Sequence, residues 1–330
     1  MRYAAGLARG NACGCVPLIG APSDRSGGAT ITLALDGLQA EVTAEPALGV
    51  ELITPDSPSG PSAANQTTPR SLGAMEAAAK QILAGREDLA DAGFRLELGR
   101  CEIPPGVELG ESTAITLAAL EALNGLFGIG LAREQLPPLA LACLIDRLGV
   151  PGTLRDPVAQ SEGGLTFMDF DAEGSGGGRY EPLDPALLPP LFVAWPAEVD
   201  PAPADNPPSP SVDKPDIVAG LSTLGGGAAG ENLEPDALAE LGGLAQRALS
   251  PLLVRDGAGF GVLLERDREL RETVEPPNPL AEAAARLGVA VNSTSPTGAI
   301  VGLFGNAAQL GQIREALTAL GAELLIVRPD

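Results

Sequence analysis

Residues 104–113 read Pro-Pro-Gly-Val-Glu-Leu-Gly-Glu-Ser-Thr and run directly into an apolar stretch over 114–126. A turn of this composition feeding a helix leaves backbone N–H groups without intrahelical partners. Together with the helix dipole, such groups hold phosphate. Ser112 and Thr113 stand where either an N-cap hydroxyl or a metal-facing hydroxyl belongs, and the residues by themselves leave both readings open. Two aspartates sit in comparable loops, Asp24 after Gly20-Ala21-Pro22-Ser23 and Asp156 before Pro157. Asp favours turns through side-chain-to-backbone hydrogen bonds, so each reads on its own as a loop-capping carboxylate.

Composition removes other chemistries. The chain of 330 residues has no His, which eliminates His-based triads, bases and metal ligands. Its cysteines, Cys13, Cys15, Cys101 and Cys143, form no C-x-x-C pair and read as buried thiols rather than zinc ligands. Cys13 and Cys15 are expected on one face of a strand. The formal net charge is -22 and the only lysines are Lys80 and Lys214, a balance that repels nucleic acid and anionic membranes. No apolar run reaches a membrane span and the N-terminal residues lack a signal-peptide core, so a cytoplasmic protein is expected.

The elements that must position these residues follow from periodicity. Strands are expected over 16–19, 29–35, 40–44, 94–103, 163–170, 191–195, 289–291, 299–304 and 323–327. Helices are expected from Ser71 onward, with Leu72, Met75, Ala79, Ile82 and Leu83 on one face, and over 114–126, 138–148, 234–255, 260–275, 279–287 and 307–320. Residues 54–70, 149–160 and 171–187 read as loops, and 200–216 as a Pro-rich linker. No fixed-period repeat is present. The order is α+β, a mixed first half and a second half ending in βαβ-like elements.

These stretches resemble, in order and spacing, the motifs of the GHMP kinases, most of all the glucuronokinase-like branch. Pro104, Val107, Leu109, Ser112, Ala114 and Ile115 match its phosphate loop. Residues 18–24 resemble its N-terminal Gly-Asn-Pro-Ser-Asp motif, residues 148–170 its central motif around Asp156, and residues 286–299 its C-terminal Gly-rich motif. The resemblance implies a two-domain α+β fold, with a ribosomal S5-like domain over 1–180 and a ferredoxin-like domain over 181–330. It implies an ATP- and Mg²⁺-dependent kinase that moves the γ-phosphoryl to a hydroxyl of a sugar or uronic acid, as a monomer or homodimer. In that scheme Leu109, Gly110, Ser112 and Thr113 cradle phosphates and Ser112 faces the metal. Asp156 orients or deprotonates the hydroxyl, while Asp24, Thr294 and Gly298 meet the substrate. Residues 54–70 would lie near the adenine.

The chain departs from the pattern where phosphate is handled. Glu108 and Glu111 replace glycines, Ser295-Pro296-Thr297 replaces Gly-Ser-Gly, and Asn292 stands for a Lys. Cys15 stands for an Arg, Pro157 for the Arg after the catalytic Asp, and Ile145 for an acidic metal ligand beside Asp146. A carboxylate close to a polyanion costs affinity, so the alternative expectation is a weak or inactive GHMP-fold binding protein.

Overall fold

The computed structural model describes residues 3–54, 64–149, 152–170, 178–198 and 233–327. The expected linker over 200–216 lies outside these residues, as do 55–63 of the polar stretch placed near adenine.

Alternating and continuous apolar runs build the first sheet. Strand β1, Ala8–Ile19, pairs antiparallel with β2, Ala29–Pro46. Strand β3, Val50–Ile53, lies parallel to β4, Phe94–Cys101. Strand β5, Leu165–Asp169, pairs with β6, Arg179–Leu183. The order is β3-β4-β2-β5-β6, with β1 also on β2. Strand β2 is one continuous element where two were expected. Its first half pairs with β5 and its second with β4; its register is irregular against both β1 and β4, and the shift against β1 takes up residues 36–38 between the two expected strands. One such shift falls between Cys13 and Gly14, breaking the simple alternation on which the shared face of Cys13 and Cys15 rested.

Helix α1, Ala64–Leu83, starts earlier than Ser71, so part of the expected 54–70 loop is helical. Met75, Ala79 and Ile82 are buried as their spacing requires. Helix α2, Glu111–Phe127, is apolar on most of its surface and correspondingly buried. It packs on β1, β2 and α1, each enclosed Leu or Ile contributing about 1.5–3 kcal/mol. Helix α3, Leu136–Ala142, continues into a π-helical turn, Cys143–Arg147.

Residues 149–160 are not wholly a loop: Arg155–Glu162 forms a helix, α4. Pro157 falls in its first turn, where a missing N–H breaks no helical bond, so the proline that argued for a loop is compatible with a helix start.

The second sheet has the order β10-β7-β9-β8. Its strands are β7, Leu191–Pro196; β8, Val291–Ser293; β9, Ile300–Leu303; and β10, Ala322–Val327. Strands β9 and β10 flank β7, both antiparallel to it, and are joined through helix α8, Ala307–Ala319. This is the split βαβ arrangement of a ferredoxin-like unit. Helix α7, Pro279–Ala285, and α8 close a core around Phe192, Val291, Ile300 and Ile313. Helices α5, Pro235–Leu253, and α6, Gly257–Glu272, pack on each other and on the first sheet, so the larger core runs continuously through Leu241, Leu244 and Leu264.

Candidate functional site

The loop before α2 owes its shape to three left-handed residues, Gly106, Glu108 and Gly110. Gly110 has a second reason to be glycine: a Cβ there would overlap the Gln160 amide nitrogen. Gln160 donates to Gly110 O at 2.9 Å and Cys15 N–H donates to Leu109 O at 3.0 Å, so the loop is tied to both α4 and β1. The first intrahelical bond of α2 runs from Ala114 N–H to Gly110 O at 2.9 Å. The amides of Glu111, Ser112 and Thr113 therefore precede the helical ladder and are free for an anion. Ser112 is half-buried, with its carbonyl accepting from Thr116; Thr113 is buried. The Leu109 side chain is in the core, so only its backbone faces the loop.

Asp24 and Asp156 are brought together by a residue the sequence reading did not single out. Arg155 donates from Nε to Asp156 at 2.8 Å and from Nη1 to Asp24 at 3.4 Å. Thr153 also donates to Asp24, whose side chain is almost wholly enclosed. Burial opposes the Arg155 charge, but Asp156 and then Asp24 more than offset this and hold the guanidinium above its ordinary value. Cys15, in the position of the family's arginine, lies beside Asp156. Burial, and then the Asp156 charge, push its thiol well above its usual range. Arg155 thus supplies a cation where Cys15 does not. Its only sequence signal is adjacency to Asp156.

The C-terminal loop closes on the phosphate-type loop through Ala299 N–H, which donates to Val107 O at 3.0 Å. Thr294 is buried and hydrogen-bonds Ala299 O through both its N–H and its hydroxyl. Asn278 Nδ2 donates to Ser295 O at 2.8 Å and Gly298 O at 3.0 Å, while its Oδ1 caps α7. Asn between prolines is an N-cap signal, and that was the available clue.

Behind this loop a buried network crosses from α6 to β1 and β8. Asp267 accepts from Gly20 N–H at 2.6 Å and from Asn292 Nδ2 at 2.8 Å. Arg271 donates to Asn292 Oδ1 at 2.6 Å and Thr294 O at 3.3 Å. Asn292 also donates to Leu18 O. An amide is needed here, because it must donate to a carboxylate and accept from a guanidinium. The family's lysine could not accept.

Two acids sit in the phosphate-type loop. Glu111 is buried at the first helical position, its Oε1 without a partner, and burial, opposed by Arg70, pushes it up to about 7. Glu108 is exposed and approaches the C-terminal loop. In the π turn Ile145 is half-buried and Asp146 exposed.

Residues 73–164 match the family model described as GHMP kinases N terminal domain. Glucuronokinase 1 of Arabidopsis thaliana is 30% identical over 210 residues, which cover 60% of this chain and 54% of that protein. The chain spans a little over half the length of the curated relatives it matches. Among solved structures, Streptococcus pneumoniae phosphomevalonate kinase in complex with phosphomevalonate and AMPPNP superposes with a TM-score of 0.72 at 15% identity, covering 97% of this chain and 99% of that one. Lactococcus lactis galactokinase complexed with galactose gives 0.69 at 16%, covering 98% and 93%. These two establish the shared two-domain fold. Residues 73–164 of this chain thus match a GHMP kinase N-terminal domain, within a fold that the whole chain shares with these two kinases.

Proposed function

We propose that this protein is an ATP-dependent sugar kinase, glucuronokinase-like, whose substrate is a uronic acid or related sugar. The observation that carries the reading is Arg155 holding Asp24 and Asp156 together beside a loop of free helix-start amides. Phosphoryl transfer is governed by position and charge, so this arrangement has the parts it requires. Asp156 takes or orients the proton of the attacking hydroxyl, and Asp24 hydrogen-bonds the sugar. The backbone at Leu109 and Gly110, with Ser112 and Thr113, receives the nucleotide phosphates. Thr294 and Gly298 close the opposite side. ATP fits the tied loop and its unpaired amides. Mg²⁺, which would neutralise charge on the transferred group, fits the hydroxyl of Ser112. The division into domains at 1–180 and 181–330, a cytoplasmic location, a monomeric or homodimeric state and the absence of nucleic-acid or membrane partners belong to the same proposal. Among the described residues, no helix is long and apolar enough to cross a membrane.

The test is Mg-ATP binding by calorimetry, followed by phosphoryl transfer to uronic acids and hexoses. No heat at millimolar nucleotide would remove the reading. Asp156→Asn should lower turnover by about 10²–10⁴-fold while nucleotide binding persists. Full turnover in that variant would take the role away from Asp156. Glu108 and the buried, unpaired Glu111 favour a second reading, a GHMP-fold binding protein without turnover. Nucleotide binding with no transfer to any acceptor would select it.

A further inference from the structure

A cleft of about 340 Å³ opens where β1, helix α2, the last turn of α4 and the stretch between α2 and α3 meet. Small-molecule sites typically span about 300–1,000 Å³, so it is large enough to hold one. Its α2 residues, Leu117, Glu121 and Asn124, lie about 9–20 Å along the helix from its start, which separates the cleft from the free amides of the loop before α2. The walls are held in place. Asn124 accepts from Leu131 N–H and donates to Leu131 O, both at 2.9 Å. Asn11 N–H donates to Glu121 Oε2 at 2.8 Å and fixes that carboxylate. Gln135 Oε1 accepts from Ala132 N–H at 2.8 Å and closes the turn that carries Arg133. Arg133 forms no ion pair among the described residues. Gln160 is only 4% exposed; its Nε2 is used on Gly110 O at 2.9 Å, and its Oε1 has no hydrogen-bond partner. A buried acceptor left unpaired is costly, so it marks a place where a donor belongs.

We propose that this cleft binds a small zwitterion, an amino acid with an aliphatic side chain, and that its occupancy is transmitted to the loop before α2. The lining offers one full positive charge, Arg133, and one full negative charge, Glu121. A guanidinium pairs with a carboxylate through two parallel hydrogen bonds. An ammonium has three donors and no acceptor, which suits Glu121 together with the unpaired Gln160 Oε1. Ala12, Leu117, Leu131 and Leu136 supply apolar surface for a short hydrocarbon chain. A ligand without net charge also escapes the repulsion that the net charge of -22 imposes on anions. Gln160 is the link to the phosphate-type loop: a donor on its Oε1 fixes the amide whose nitrogen holds Gly110 O. The site stands without the kinase reading; its effect on nucleotide rests on that reading.

The test is calorimetry on the full chain with L-leucine as the probe. Leucic acid, in which a hydroxyl replaces the ammonium, and isoamylamine, which lacks the carboxylate, are titrated beside it. L-Leucine should bind at one site, and each analogue at least about tenfold more weakly, since a hydrogen bond to a charged group is worth about that factor. Arg133→Gln and Glu121→Gln, both at exposed positions, should each weaken L-leucine by a similar factor, with melting curves checking the fold. Saturating L-leucine should tighten a non-hydrolysable ATP analogue by about fivefold, the low end of common couplings. No heat with L-leucine at tens of millimolar, or binding that neither variant weakens, overturns the site. Leucic acid or isoamylamine binding as tightly as L-leucine overturns the zwitterion. Unchanged analogue affinity at saturating L-leucine overturns the transmission to the loop. L-Leucine binding in a chain that binds no nucleotide analogue upholds the site and removes the nucleotide reading.

Discussion

Glu111 makes the stability of the fold depend on pH. Its carboxyl is buried and raised from 4.5 to about 7. Below pH 4.5 it is protonated in both the folded and the unfolded chain. Between 4.5 and 7 the unfolded chain loses the proton while the folded chain keeps it, so stability falls as pH rises through this window. Above the folded value the loss levels off at about 3 kcal/mol. Glu111→Gln, which keeps shape and removes the charge, should raise stability by about 1–3 kcal/mol at pH 8 and change it little at pH 4, measured by urea unfolding. An equal effect at both pH values would mean that the carboxyl is already neutral or solvated. At this scale the sequence showed Asp24, Asp156 and the acidic loop through motif position, and it showed that 108 was an unusual place for Glu. It did not show Arg155 as the group between the two aspartates. An arginine that bridges carboxylates in space has no spacing signature. Leu109 shows the opposite limit: its motif position is right, but its side chain serves the core.

Helix α6 holds two Arg–acid pairs at i,i+4 that the sequence cannot tell apart. Arg268–Glu272 is partly exposed, whereas Asp267–Arg271 is buried and tied to Gly20 and Asn292. Burial pushes Asp267 above its ordinary value, against the pull of Arg271 and the Gly20 N–H. Asp267→Ala strands Arg271 without its carboxylate and should cost about 3–5 kcal/mol, whereas Asp267→Leu with Arg271→Met should cost much less. Chemical denaturation of the three proteins checks this, and a double variant as unstable as the single one would contradict it. Elements with long apolar periodicity, such as α2, were legible because burial alone dictates them. Helix α4 was not, because its first turn is Arg-Asp-Pro and its length is only two turns. Strands β3 and β6 were also missed: each is short and largely exposed, so neither carries an inside-outside alternation.

Over the whole molecule the net charge of -22 opposes a nucleotide before any contact forms. Added salt screens that repulsion over a Debye length of about 8–10 Å at physiological strength. Association of Mg-ATP should therefore quicken, or hold constant, as NaCl is raised from about 20 to 150 mM. Stopped-flow binding measures this, and a steep fall with salt would mean that local cations dominate the encounter. The two-sheet architecture was legible because its motifs recur in one order across the chain. The seating of the sheets was not, since it depends on polar contacts such as Asn292 to Leu18, 274 residues apart.

The π-helical turn Cys143–Arg147 carries a further consequence. Such a turn holds one more residue than an α-helix would use over the same length. Each residue of a helix turns its successor by about 100°. Ile145 and its neighbour Asp146 are therefore separated by one register step in a segment that already contains a spare one. Removing a single codon here would straighten the helix and place a carboxylate in the row where an aliphatic side chain now stands.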